Sequence, residues 1–109
     1  MPNNPQKWEV WWAKVKFEDE PDIIKIRPVI VFDNKKAYII SFKVTGQMPR
    51  QNFPGEYVLQ KWQEAGLTTV SVVRLSKQLQ LISDDFVNKI GELTIKDIMA
   101  IKLILMNLK

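Results

Sequence analysis

The stretch KIRPVIVFDN, residues 25–34, says more about the fold than any other part of the sequence. Residues 29–32 are a short β-branched and aromatic run that ends at two turn formers, which predicts a strand buried on both faces. Pro28 cannot donate to a sheet ladder, so we expect it to be the first residue of that strand. The proline also favours an extended backbone at Arg27, which should therefore lie at the mouth of the core.

Arg27 has two interpretations at that position. Its guanidinium is always charged and carries five donors in a planar fork, which suits a phosphate or a carboxylate. The ordinary interpretation is a rim arginine that pairs with a nearby acid. The functional interpretation is an anion-binding group, and position alone favours the ordinary one.

The composition describes a small folded domain without disulfides. The 109 residues are 46% hydrophobic and 26% charged, which excludes a disordered chain. We expect a single domain over residues 1–109, with residues 1–7 as an extended lead-in, at a size where a homodimer often adds stability. Because no cysteine, signal peptide or transmembrane segment is seen, we expect a cytoplasmic protein away from membranes.

The absence of histidine limits the chemistry. The chain has neither His nor Cys, so the commonest metal ligand, the thiolate ligand and the usual proton shuttle near neutral pH are missing. We expect no metal site and no cofactor. Any catalysis must therefore use carboxylates, hydroxyls, Arg or Lys.

Positive charge is concentrated in a segment without acids. The formal net charge is +4, and residues 34–55 contain no Asp or Glu. A solvated surface is the ordinary interpretation of such a segment, and contact with an anionic partner is the functional one. Its cations are Lys35, Lys36, Lys43 and Arg50.

Apolar periodicity predicts strands through most of the chain. Residues 18–26 contain four acids and a proline, which predicts a mobile loop between the first two strands. The predicted strands lie at residues 8–17, 28–32, 38–44, 57–59, 68–75 and, as a strand or a turn, 77–82. The second and third should form a hairpin, and a helical turn at residues 60–65 should end at Gly66.

Two helices are predicted near the C terminus. Ser83 is a good N-cap and Gly91 is placed as a C-cap, which predicts a helix of about two turns. The sequence TIKD at residues 94–97 resembles a capping box and should begin a second helix that runs to about Leu108. The whole pattern predicts a mainly β fold, an all-β or α+β small barrel, with a C-terminal helix.

The C-terminal helix has more apolar surface than one core contact needs. Ile98, Ile101 and Leu105 form a stripe, and the apolar character becomes nearly all-round at residues 103–106. A helix of this kind must bury a second face. A second copy of the chain and a thicker single core are both open explanations.

Five motifs in order resemble the MazF/PemK family of toxin ribonucleases from bacterial toxin–antitoxin pairs. Each is common alone, and together their order and spacing are fairly specific. They are WEVWW at residues 8–12, RPVIV at 27–31, Thr45 after an apolar run, GLTTVSVVR at 66–74 and IGEL at 90–93. The resemblance covers nearly the whole chain.

The resemblance implies a fold and a set of partners. The fold would be a small, partly open SH3-like barrel of the MazF/PemK/CcdB kind, assembled as a homodimer. The activity would be metal-independent cleavage of single-stranded messenger RNA. A cognate antitoxin protein would cover the RNA site and would carry DNA binding in the joint complex.

The resemblance also assigns residues. Arg27 corresponds to the family's catalytic arginine and Thr45 to its catalytic Thr or Ser, while Arg74 matches an arginine that some members use on the scissile phosphate. Asp22 stands where the family often has a Glu, and it is the candidate base. In the basic segment the predicted RNA-binding residues are Lys35, Lys36, Lys43, Arg50 and Phe53, because charge beside an aromatic ring suits single-stranded RNA.

The sequence departs from the family pattern at three places. The loop before Arg27 has no glycine, Ser76 stands where some members have an Asp, and a loop histidine is missing. An RNA- or antitoxin-binding module that has lost cleavage is therefore the alternative to an active nuclease.

Overall fold

The computed structural model describes residues 3–16, 22–46 and 55–107. In these residues the chain forms six strands and one α-helix. The strands are β1 (Glu9–Lys16), β2 (Ile24–Asn34), β3 (Ile39–Thr45), β4 (Glu56–Val58), β5 (Val72–Leu81) and β6 (Phe86–Glu92), and the helix is α1 (Ile95–Asn107). The strands make one antiparallel sheet in the order β4-β5-β3-β2-β1-β6. The predicted mainly β fold with a C-terminal helix is confirmed.

β2 lies inside the sheet and is buried on both faces, as its sequence predicts. Ile30 belongs to a core cluster that includes Phe42 of β3 and Ile101 of α1. Val29 and Val31 belong to a second cluster on the opposite face. Alternate side chains of a strand point to opposite faces, so an uninterrupted apolar run supplies both clusters.

β2 begins earlier than predicted. It starts at Ile24, and Pro28 lies within it, opposite Trp12 of β1. Among the described residues, the pairing with β3 begins at Val29 and Lys43, so β2 up to Pro28 has one paired edge. A residue without an N–H is tolerated at such an edge. The predicted loop at residues 18–26 therefore ends at β2, and residues 17–21 lie outside the described residues.

The second half of the chain differs most from the sequence prediction. β5 is one ten-residue strand where two shorter elements were expected. The predicted helix at residues 83–91 is wrong: a single 3-10 turn, Ser83–Asp85, is followed by β6, which pairs with β1. Gly91 is a residue of β6 and not a helix cap. A Cβ at this position would lie 2.2 Å from the Ala65 carbonyl oxygen, so a side chain does not fit. Its role is close approach of two backbones.

Asp97 does not complete the predicted capping box. Its carboxylate is fully buried and accepts hydrogen bonds from the Tyr57 hydroxyl (2.6 Å) and the Gln60 and Lys61 amides (2.9 Å each). The Thr94 hydroxyl is buried without a hydrogen-bond partner. Burial, together with the hydrogen bond to Asp97, raises the pKa of Tyr57. Asp97 therefore ties α1 to β4 and to the turn that follows it.

α1 packs one face on the sheet and leaves another exposed. Ile101 is fully buried, and Ile98 and Leu105 pack against the same cluster, so these three residues face the core of this chain. The opposite face carries large exposed apolar side chains: Ile95, Met99, Leu103 and Met106. We call this set the α1 outer stripe. Within the described part of the chain, no helix has the length and apolar character needed to cross a membrane.

Candidate active-site pocket

A pocket of about 400 Å³ lies where β2, β3 and β5 meet the segment that precedes β5. Three of the four residues assigned to catalysis by resemblance line it: Arg27, Thr45 and Arg74. Its other polar side chains are Lys43, Thr68, Thr69 and Ser71, and its apolar wall includes Trp12, Pro28, Leu67 and Ile90. Residues far apart in sequence therefore share one concave surface.

Arg27 is half-buried at the edge of this pocket. It lies on β2 opposite Ala13, and its Nη1 donates to the Ile26 carbonyl oxygen at 3.1 Å. The described residues contain no acidic partner for it, so the rim ion pair expected on ordinary grounds is not seen among them. A half-buried guanidinium that lines a pocket retains donors for an anion.

Thr45 is the last residue of β3 and lines the same pocket as Arg27. Val29 of β2 is the partner of Lys43 in β3. Arg27 and Thr45 each lie two residues beyond this pair. The hydroxyl and the guanidinium therefore belong to the same concave surface.

Arg74 lies in a row of charged residues that crosses three strands. On β5 it is the partner of Lys43 in β3 and of Glu56 in β4. Its Nε is 3.8 Å from Oε2 of Glu56, whose side chain is 2% exposed. Sequence reasoning missed Glu56, because the β4–β5 register that places it beside Arg74 is a long-range feature. The local sequence shows only that Glu56 is an acid directly before the predicted strand at residues 57–59.

The charge of the pocket suits a phosphate group. Arg27, Lys43 and Arg74 supply three cations, and the buried carboxylate of Glu56 lies beside Arg74. Within the described residues, no three His, Cys, Asp or Glu side chains gather closely enough to hold a metal ion. Ser71 donates to the Thr69 carbonyl oxygen at 2.8 Å, and both residues line the pocket.

Asp22, the candidate base, is not among the residues that line the pocket. It is exposed and lies two residues before β2. Asp22 precedes Arg27 by five residues, and it lies in a turn before the strand. Its catalytic role stays a prediction.

The five predicted RNA-binding residues fall in different places. Lys43 lines the pocket, whereas Lys35 and Lys36 lie at the β2–β3 turn, at the far end of the hairpin. Lys35 pairs there with Asp33 at 3.4 Å, and Lys36 lines a separate pocket of about 300 Å³. Arg50 and Phe53 lie outside the described residues.

Trp12 of β1 is an aromatic residue of the pocket. The side chain is 41% exposed and lies in the apolar wall, beside Pro28. Its neighbour Trp11 points to the opposite face and packs edge-on against Phe86. An exposed indole beside cations is a surface on which a nucleic-acid base can stack.

The chain is similar to known proteins in sequence and in fold. The family of PemK-like, MazF-like toxins of type II toxin–antitoxin systems matches residues 6–108. A solved structure of an endoribonuclease from Mycobacterial species is similar, with a TM-score of 0.71 and 17% identity over 97% of this chain and 91% of that one. The Mycobacterium tuberculosis toxin MazF-mt6 has a TM-score of 0.66 and 18% identity over 91% and 93% of the two chains. No curated protein matches the chain.

Proposed function

Because the chain belongs to the family of PemK-like, MazF-like toxins of type II toxin–antitoxin systems, we propose that its pocket binds and cleaves single-stranded RNA. One observation carries the proposal: Arg27, Thr45 and Arg74, from three different strands, line the same concave surface. Two guanidiniums and a hydroxyl can bind the oxygens of a phosphodiester and stabilise developing charge without a metal ion.

The proposed reaction is an internal transesterification. The ribose 2′-oxygen attacks the adjacent phosphorus, the bond from phosphorus to the 5′-oxygen breaks, and the products are a cyclic phosphate and a 5′-hydroxyl. The 2′-hydroxyl loses a proton to a base, and the leaving 5′-oxygen gains one. Asp22 is the candidate base, which a pH–rate profile of Asp22→Asn would test.

The chain's own residues have separate roles in this reaction. Arg27 and Arg74 bind the nonbridging phosphoryl oxygens and stabilise the charge that develops on them, which is usually the largest catalytic contribution. Thr45 orients a phosphate oxygen or the 2′-hydroxyl. Lys43 attracts the RNA backbone, and Trp12 offers a stacking surface to a neighbouring base.

Purified protein and a long single-stranded RNA, incubated in EDTA, test the proposal. We expect discrete fragments with cyclic phosphate and 5′-hydroxyl ends, and their loss in Arg27→Ala. A requirement for Mg²⁺ would contradict the mechanism. Retained RNA binding without any cleavage would identify the alternative, a binding module with an inactive site.

We propose two protein partners and a location. The antitoxin would cover the pocket with an extended segment, and DNA binding would belong to that complex. A second copy of the chain would cover the α1 outer stripe, because four large apolar side chains are exposed there on one helix. Light scattering at micromolar concentration tests this, since a monomer would contradict it. The cytoplasm, where messenger RNA is translated, is the proposed location.

A further inference from the structure

A buried carboxylate lies beside the pocket, and the proposed reaction does not use it. Glu56 is on β4, and its side chain is 2% exposed. It is not among the residues that line the pocket, whereas its cross-strand partner Arg74 is. A buried charge is costly unless it is paired, and Arg74 is one partner of this carboxylate.

The contact geometry shows which part of the arginine Glu56 faces. Oε2 of Glu56 lies 3.8 Å from Nε of Arg74, an ion pair too long to be a hydrogen bond. Arg74 Nε is buried, with no hydrogen-bond partner. The carboxylate therefore lies at the Nε side of the guanidinium, which leaves the terminal Nη groups for the pocket.

The neighbouring lysine gives the carboxylate a second effect. Lys43 and Arg74 are direct cross-strand partners, and like charges in that arrangement repel. Glu56, on the other side of Arg74, offsets this repulsion. Without it, the guanidinium would be free to turn away from Lys43 and out of the position that faces a phosphate.

The strand that carries Glu56 is anchored on both sides of it. The Gly55 carbonyl oxygen accepts a hydrogen bond from the Leu75 amide at 2.7 Å. The Tyr57 hydroxyl donates to the buried carboxylate of Asp97 at 2.6 Å. The residues on either side of Glu56 are therefore held by hydrogen bonds, which fixes the place of its side chain.

From these contacts we propose that Glu56 is a positioning residue that orients the Arg74 guanidinium towards the scissile phosphate. This inference rests on the proposed nuclease function. Glu56 acts through Arg74 and takes no part in proton transfer.

Glu56→Gln tests the inference, since it removes the charge and keeps the shape. We expect kcat for RNA cleavage to fall roughly 10- to 100-fold, while KM stays the same or falls because a negative charge near the phosphate is gone. Glu56→Asp keeps the charge at shorter reach and should recover part of the rate. Glu64→Gln, the same change at an exposed position in the turn after β4, should behave like the wild type. A merely structural role would lower the folded fraction instead of kcat per folded molecule.

The outcomes separate this inference from the proposed function. If the wild type cleaves RNA and Glu56→Gln matches Glu64→Gln in kcat, the inference is overturned and the function stands. If the wild type does not cleave, the function fails, and the Arg74 side-chain NMR signals decide the inference. We expect restricted rotation of the guanidinium in the wild type and faster rotation in Glu56→Gln, or in Glu56→Asp if the first variant does not fold. Identical signals would overturn it.

Discussion

The two ends of the β2–β3 hairpin are both basic, and they differ in shape. At the open end, Arg27 and Thr45 line a pocket whose walls come from β1, β5 and the segment before β5. At the turn, Lys35 is exposed and paired with Asp33, and Lys36 is exposed in a left-handed conformation, its amide donating to the Asn34 side chain. Both ends offer charge, and the open end also offers a concave surface that holds several donors towards one ligand.

The comparison shows that cations of one basic segment lie in very different surroundings. An exposed lysine in water contributes little to binding, because its interactions are screened and its side chain must be ordered. A half-buried arginine in a pocket acts in a lower dielectric and is already held in place. We expect the two ends to respond very differently to the same kind of mutation.

The largest effect should come from Arg27→Ala, with Lys36→Ala as its matched control at the turn. We expect the first to lower kcat/KM for single-stranded RNA by roughly 100- to 1,000-fold, because a donor to the developing charge is lost. The second should stay within about twofold of the wild type. Equal losses would show that the hairpin acts as one extended basic surface.

Asp97→Ala should destabilise β4 and the turn that follows it, and it should leave the β2–β3 turn unchanged. It leaves the Tyr57 hydroxyl and two backbone amides without their acceptor, which should cost about 2–3 kcal/mol in the free energy of unfolding. Urea denaturation measures the loss. Hydrogen exchange should increase at residues 56–66 and stay unchanged at residues 33–38; a uniform increase would contradict the local role of Asp97.

Thr45→Val removes one hydroxyl from the open end and keeps the side-chain shape. We expect RNA cleavage to slow roughly tenfold, the usual consequence of losing one hydrogen bond to a reacting group. Steady-state kinetics on a short RNA would measure it. Thr45→Ser should retain most of the rate, and if it is as slow as the valine variant, the hydroxyl is not the group that matters.

The smallest effect is a loss of stability at high pH. Because burial and Asp97 raise the pKa of Tyr57, the unfolded chain loses the phenolic proton near pH 10 while the folded chain keeps it. This contribution is complete below about pH 10, and stability declines as the pH rises further. Unfolding free energies at about pH 9 and about pH 10.5 should differ less in Tyr57→Phe than in the wild type. An equal difference would exclude Tyr57 as the source.

Local sequence patterns were enough for the elements that depend on local physics. The run at residues 29–32 is apolar without interruption, which predicts burial on both faces of the sheet. Its residues indeed belong to core clusters on both faces. The turn after it follows from its turn formers, and α1 begins in the TIKD segment, where the sequence predicted its start. The order of the five motifs also pointed to the family that matches residues 6–108.

Other features depended on contacts between distant segments, which no local pattern reveals. Ser83 and Gly91 have the chemistry of helix caps, but β1 offers a free edge, and the backbone at Gly91 approaches Ala65 too closely for a side chain. Asp97 has the spacing of a capping residue, but buried donors from β4 and the next turn take its carboxylate. In both cases a long-range partner outweighed a local preference worth about 1 kcal/mol.

The sequence by itself determined that a strand buried on both faces follows Arg27, and that Thr45 ends the next strand. Tertiary structure decided that these two share a pocket with Arg74, and that Glu56 lies beside that arginine. The physical reason is that the register of strand pairing decides which side chains of distant segments meet. Packing of the whole sheet sets that register to within one residue.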